Sequence, residues 1–332
     1  MAITGQWKRR RIVINADAYI SGATSNVPVL VKFNSTSHPD LFGTGDDKDS
    51  VWFSTDAGGQ TTLYHEGVVF SATDAIFYVK VDLSSTADTV IYFWYGTPSI
   101  TGTESKANVW TNGKAIYHLE NNANDSMGSY NGTVSGATYT SSGVVGGCYS
   151  FDGSDDYIDL NDVDLPSTFT ILTWVDTDAT SSHKHILHKT SSGGAVANCN
   201  YKLFTYNSKW YSGGSTPGAD SVSSTSVSTG WQFVGAVYNG TAIQTFLNGS
   251  ADGSSANTAI ASTNYDASIG RPGELSSYYW DGDIDEVWLF TDAKSADWIE
   301  AVYENVNAYS TFITIDGAVA IGSSPIQVYP VW

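Results

Sequence analysis

The sequence predicts an all-β protein: two β-sandwich domains, the second a jelly roll, with a short C-terminal helix and a strand-like tail. Three observations carry this expectation. Short apolar or alternating runs such as RRIVINA, VPVLVKF, IFYVKVDL, FTILTWV and WQFVGAVY recur along the chain, with turn-forming residues between them. Gly, Ser, Thr and Asn are plentiful and charged residues make up only 15%, a composition that supplies turns rather than long helices. Only SADWIEAVYENV has helical spacing, with Ile299, Val302 and Tyr303 on one face and Ser295 as a candidate N-cap.

In chain order, residues 1–105 read as a small β-sandwich, a candidate anchoring domain, with turns at 43–47 (GTGDD) and 56–59 (DAGG). The polar stretch ITGTESKAN, 100–108, reads as a linker. Residues 106–310 read as the jelly roll, with strands at YSFDGSDDYIDL, FTILTWV, HILHKT, YKLFTY, WQFVGAVY, TAIQTFLNGS and DIDEVWLF. The tail, 311–332, holds two apolar runs, ITIDGAVAIG and IQVYPVW. These can add strands to the chain's own first domain or to a neighbouring subunit.

The net charge of −19 argues against a nucleic-acid partner, which calls for a basic surface. Lys8, Arg9, Arg10 and Arg11 are four of the 15 basic residues, and are expected to point outward or pair with the acidic bulk. No run approaches the roughly 18 apolar residues of a membrane helix. The start, MAITGQWKRRRIVI, lacks the pattern of an export signal. Cys148 and Cys199 sit in strand-like runs as small buried residues, and a single bridge between them stays open.

Two resemblances follow from these runs. The first third, with WKRRR, VPVLVKF, DSVWFSTDAGG, FYVKVDL and IYFWYGTPS, resembles a bacterial and phage domain of unknown function that often precedes a lectin-like domain. The second domain resembles the laminin-G-like, concanavalin-A-like lectin family across roughly 200 residues. The segments that carry the likeness are AIYHLENNANDSMGSYNGT, GCYSFDGSDDYIDL, FTILTWV, WQFVGAVYNGTAIQTFLNGS, SIGRPG and GDIDEVWLFTDAKSADWIEAVYEN. That resemblance implies a β-sandwich that binds sugars, proteins or lipids and often carries a structural calcium.

Candidate sites divide by chemistry. Sugar rings stack on exposed aromatics, and Trp210, Tyr211, Tyr278, Tyr279 and Trp280 lie in turn-rich surroundings; Tyr130 is a further candidate. Calcium wants six to eight oxygen ligands. Glu120, Asn122, Asp152 and Asp285 are the expected set, with Asn124, Asp125 and Glu286 nearby in sequence. In CYSFDGSDDYIDL, Asp152 and Asp159 are expected on the two strands of a hairpin, with Asp152 a turn cap or a calcium ligand.

Catalysis is not expected. In Asp283-Ile284-Asp285-Glu286, strand alternation sets Asp283 and Asp285 on one face and Glu286 on the other. Val287 and Leu289 carry the Asp285 face into the core, which does not suit the close carboxyl pair of a retaining glycosidase. His183 and His185 share a strand face as a potential two-histidine metal pair, but no Cys or acid completes it locally. No phosphate loop, nucleophile elbow or HExxH run occurs.

The functional expectation is a non-enzymatic phage virion surface protein, a capsid decoration or tail-associated adhesin, presenting a lectin-like domain. Its partners would be other virion proteins or copies of itself, together with a cell-surface or extracellular glycan. The alternatives are a secreted bacterial carbohydrate-binding protein, extracellular in location, and a glycoside hydrolase.

Overall fold

The computed structural model describes residues 7–42, 48, 50–96, 104–190 and 198–321. The turn read at 43–47 and the tail run IQVYPVW lie outside these residues. The chain forms two units: residues 1–111 together with 297–332, and residues 112–296. Each is built almost wholly from antiparallel strands.

In the first unit, β-branched and aromatic residues pair into two sheets. One runs in the order Ile313–Ile315, Trp7–Ile14, Thr89–Tyr95, Trp52–Ser54, Thr62–Leu63, with Val319–Ile321 also paired to Trp7–Ile14. The other runs Thr24–Asn34, Asp74–Leu83, His65–Phe70. Phe33, Phe53, Phe77 and Phe93 pack together, with Phe33 stacked on Phe93 at 4.4 Å. At one end Trp52 stacks on Trp94 at 5.3 Å and Trp7 meets Trp52 edge-on. Gly59 lies against this pair with φ +70°, where a Cβ would sit 3.0 Å from the Trp94 ring. Only glycine suits both the conformation and the approach.

The basic run does not point uniformly outward. Arg10 is buried, ion-paired with Asp40 and donating to the Tyr95 hydroxyl at 3.1 Å. Lys8 joins Asp40 at 3.5 Å, Arg9 lies over the Tyr92 and Trp94 rings, and exposed Arg11 pairs with Asp316. Strand pairing with Thr89–Tyr95 sets these alternating directions.

The expected boundaries, 1–105, 106–310 and 311–332, give way to a different division. Lys106–Val109, expected as linker, is a short helix, and the Trp110 that follows donates from its indole to Glu66 within the first unit. The helix Ala296–Asn307, expected in the second domain, packs on the first. Strand Thr24–Asn34 is the edge of its sheet, and an unpaired edge must be covered. Leu30 N–H donates to Asn305 Oδ1, and Asn305 Nδ2 donates to the Leu30 carbonyl at 3.2 Å. Lys32 N–H donates to the Tyr309 hydroxyl at 2.7 Å, which donates to the Lys32 carbonyl at 3.2 Å. The tail strands then join the chain's own first strand. The second unit is therefore an insertion within the first in sequence.

The second unit faces two sheets across one core. One contains Thr138–Thr140, Cys148–Asp152, Asp281–Phe290, Phe169–Thr177, Gln232–Tyr238 and Ala242–Leu247 in order, with Gly113–Tyr117 beside Asp281–Phe290. The other runs Asp220–Ser226, Lys209–Gly213, Tyr201–Tyr206, Lys184–Lys189, Ala267–Ile269, Tyr157–Asp159, Thr133–Ser135. Ile171, Val234 and Ile284 from the first sheet meet Leu187, Leu203 and Ile269 from the second. CYSFDGSDDYIDL is not a hairpin: Cys148–Asp152 and Tyr157–Asp159 belong to different sheets, and Gly153, at φ +75°, turns the chain across the sandwich. Both cysteines are free and buried.

Two strands carry an extra residue. In Lys184–Lys189 the register shifts at Ile186, so that Ile186 and Leu187 both enter the core. In Asp281–Phe290 the shift falls at Glu286, whose φ is +49°. Both are β-bulges, which re-aim side chains.

Asn305→Ala is expected to destabilise the first unit by about 1–3 kcal/mol for each Leu30 group left without a partner. Urea unfolding followed by tryptophan fluorescence measures this, and an unchanged midpoint would show that the amide does not secure the edge.

Candidate functional site

The outer face of the second sheet carries a pocket of about 190 Å³. Strand alternation builds its floor: in Tyr201–Tyr206, Tyr201 and Leu203 face the core, while Lys202, Phe204 and Tyr206 face out. The neighbouring strand contributes His185 and His188. By simple alternation these would lie on opposite faces, and the bulge at Ile186 brings them to the same one. His183 and Cys199 complete the wall, and Pro272, Leu275 and Tyr278 close it from above.

Rings dominate the surface. Tyr278 is 49% exposed and lies 4.2 Å from His183; Tyr206 is 44% exposed and meets His183 at 5.2 Å. Tyr211 stacks on Phe204 at 5.0 Å. Tyr278 adopts φ +56°, and its carbonyl accepts from His185 N–H. Lys202 is held by Asp220 at 2.8 Å. Burial, with help from neighbouring His188, holds His185 well below the usual histidine range. Burial likewise takes His188 to about 3 and pushes the Cys199 thiol up to about 12.

Of the five aromatics expected to meet sugar, Tyr211 and Tyr278 join this surface. Trp210 and Trp280 do not: both are fully buried core members. Lys209–Gly213 alternates, so Trp210 turns inward as Tyr211 turns out. Trp280 is drawn in where its backbone N–H donates to the Gly270 carbonyl at 2.7 Å. Tyr279 is buried beside it. Tyr130 packs partly against the core, under Lys114. The alternation of Lys202, Phe204 and Tyr206 in YKLFTY was a readable signal that sequence reasoning passed over. His188 stood out only as a neighbour of His183 and His185 in SSHKHILHKT, and Cys199 gave no signal of a place beside it.

The acids separate into two places. Glu120 Oε1 accepts from Gly147 N–H, and Asp285 Oδ2 from Val145 N–H, each at 2.9 Å. Glu286 Oε2 accepts from His118 Nδ1 at 2.8 Å and Trp288 Nε1 at 2.7 Å. Asp285 Oδ1 and Glu286 Oε1 are buried without a hydrogen-bond partner among the described residues. Burial, then repulsion from Glu286, raises the Asp285 carboxyl well above its ordinary range, and burial also raises Glu120. Among the described residues, Glu120, Asp285 and Glu286 do not bring one ligand oxygen each within 4.8 Å of one another, so the expected calcium set is not assembled as a three-carboxylate centre; two buried, unpartnered oxygens remain, on Asp285 and Glu286.

Asp152 and Asn122 do not complete that set. Asp152 pairs across the sheet with Asp281, four strand positions from Asp285, or roughly 13 Å. It is exposed, caps Ser154 N–H at 2.9 Å and groups with Asp155 and Asp156 instead. Exposed Asn122 holds its own turn, donating to the Glu120 carbonyl and accepting from Asn124 N–H. Asp125 is buried and accepts from four backbone N–H groups.

The expected face separation in Asp283–Glu286 also fails. The bulge turns Glu286 into the buried cluster with Asp285, and Asp283 stands apart, half-buried.

Because folding raises the Asp285 pKa, its ionised form opposes folding, and the stability it leaves at low pH is lost as pH rises through the folded value. In chelator, Asp285→Asn is expected to melt above the parent chain at pH 8, with the gap closing toward pH 4. A gap independent of pH would contradict this.

Residues 152–300 match the family model described as the concanavalin A-like lectin/glucanases superfamily. Among solved structures, domain 4 of AbnA, a GH43 extracellular arabinanase from Geobacillus stearothermophilus in complex with arabinotriose, is 17% identical. That alignment covers 57% of this chain and 97% of the domain, with a TM-score of 0.49. The botulinum neurotoxin serotype D binding domain is 17% identical over 58% of this chain and 51% of its own, with a TM-score of 0.43. Trypanosoma rangeli sialidase in complex with 2,3-difluorosialic acid is 11% identical over 74% and 43%, with a TM-score of 0.49. The chain thus spans about half or less of the latter two. No curated protein sequence matches it. The likeness to the concanavalin A-like, laminin-G-like lectin family therefore covers residues 152–300, all but the last four of which belong to the second unit.

Proposed function

We propose that the protein is a non-enzymatic phage virion surface protein whose lectin-like unit binds glycan in the pocket beneath Tyr278. The observation that carries this reading is the ring-lined pocket itself. Tyr278 and Phe204 line it, Tyr206 and Tyr211 stand beside it as further rings on which a sugar can stack, and His183 supplies a polar edge. A volume of about 190 Å³ is smaller than the roughly 300 Å³ at which drug-sized pockets begin, and suits a single sugar ring.

The non-catalytic reading is supported by the carboxylates. Asp285 and Glu286 are buried and engaged by hydrogen bonds from Val145, His118 and Trp288. Two free, buried cysteines suit assembly in a reducing compartment, as for a particle built inside a cell. The other location is extracellular. Proteomics of purified particles against cell-free supernatant separates the two, and absence from particles would end the virion proposal.

A structural calcium is proposed beside Asp285 and Glu286, where it would neutralise their unpartnered buried oxygens and hold the 143–147 turn, which Asp285 already binds at Val145, to the strand Asp281–Phe290. Chelator should lower the melting temperature of the second unit in the parent chain but not in Asp285→Asn. No chelator effect on the parent chain would rule the calcium out.

On a glycan array, Tyr278→Ala and Tyr211→Ala should each weaken the parent's binding about tenfold or more, or ~1.4 kcal/mol, with melting unchanged. Trp210→Ala should instead cost about 3–5 kcal/mol of stability. Parent-like glycan binding by both tyrosine variants would place the site elsewhere.

A further inference from the structure

The donors a transition metal prefers are gathered on one wall of the pocket, away from the carboxylates. His183 Nε2 and His185 Nε2 face each other at 3.1 Å. Two bonds of about 2.0–2.1 Å to one tetrahedral ion hold a nitrogen pair roughly 3.3 Å apart, so a shift of a few tenths of an ångström admits the ion. We infer that His183 and His185 bind a divalent transition-metal ion of the zinc, nickel or copper class at the mouth of this pocket, with His188 and Cys199 orienting His185 from behind.

The donors stand in a row. His188 Nδ1 meets His185 Nδ1 at 3.0 Å, and Cys199 Sγ meets His188 Nε2 at 3.4 Å. No three of them share one coordination sphere among the described residues, so the pair at the outer end is the part that can hold an ion. The inner two fix the ring of His185, as the hydrogen-bond partners of metal-binding histidines do. His188 and Cys199 are thus positioning residues.

The proton count closes. Without metal, the Cys199 thiol can donate to His188 Nε2, His188 Nδ1–H to His185 Nδ1, and His185 Nε2–H to His183 Nε2. With an ion on His185 Nε2, that ring carries its proton on Nδ1 and donates to His188 Nδ1. His188 then carries its own proton on Nε2, toward the Cys199 sulfur. Each ring keeps one proton, the thiol stays a thiol, and none is released.

The donor set also selects the ion. The wall offers imidazole nitrogen, and no carboxylate lines the pocket. Asp220, the nearest acid to Lys202, is engaged by that ammonium. Calcium and magnesium, which want oxygen, are therefore poorly served. The ion's remaining positions face the pocket, open to water or a ligand hydroxyl. The ion shares the pocket with the proposed glycan but does not depend on it.

The test uses the full chain, free of any affinity tag and stripped with chelator. Zinc chloride titrated by calorimetry should bind at one ion per chain, and cobalt should give a visible absorption band. His183→Ala should abolish both while the melting temperature holds. His188→Ala should keep the stoichiometry, weaken affinity about tenfold and shift the cobalt band, as expected of a positioning residue. Unchanged zinc affinity in His183→Ala, or equal competition by calcium, would overturn the inference. Glycan binding measured in chelator is scored separately, so either reading can fail alone.

Discussion

A strand at the edge of a sheet leaves a row of backbone N–H and C=O groups that must find partners. In this chain the strand Thr24–Asn34 finds them 275 residues later. The Asn305 amide acts as a surrogate strand at Leu30, and the Tyr309 hydroxyl repeats the arrangement at Lys32. Much follows from that closure. It draws the helix Ala296–Asn307 onto the first unit, delivers Ile313–Ile315 and Val319–Ile321 to the first strand, and makes the lectin-like unit an insertion. The buried Asn305, a polar residue on an otherwise apolar helix face, has its reason there.

Both candidate sites of the second unit depend on one extra residue in a strand. The bulge at Ile186 puts two consecutive apolar side chains into the core and sends His185 and His188 to the same outer face. The bulge at Glu286 gathers Glu286 with Asp285 and Glu120. Regular strands would have left three histidines divided between two faces and the acids likewise. The strain of a glutamate at φ +49° is offset by hydrogen bonds from His118 and Trp288.

The two sites also divide by donor chemistry. One sets carboxylates around the 143–147 turn, with His118 hydrogen-bonded to Glu286, and the other sets histidine nitrogens and a cysteine sulfur along the wall of a ring-lined pocket. In a chain of net charge −19, a pocket wall without a carboxylate is a feature of the fold rather than of composition.

Alternation, turn residues and the lack of helical spacing are local properties, and by themselves they determined the all-β class and the strand runs; the lectin-like second half was legible only as a family resemblance. Alternation in YKLFTY even contained the pocket floor. What lay beyond them was non-local. Unit boundaries depended on which distant segment satisfies the Thr24–Asn34 edge. Whether Trp210 or Tyr211 meets solvent depended on which face of Lys209–Gly213 the core covers. Asp152 left the acid cluster because its strand pairs four positions away from Asp285. Only the tertiary structure decides pairing register and bulge position, because a shift of one residue exchanges the faces of a whole strand and leaves its local sequence pattern unchanged.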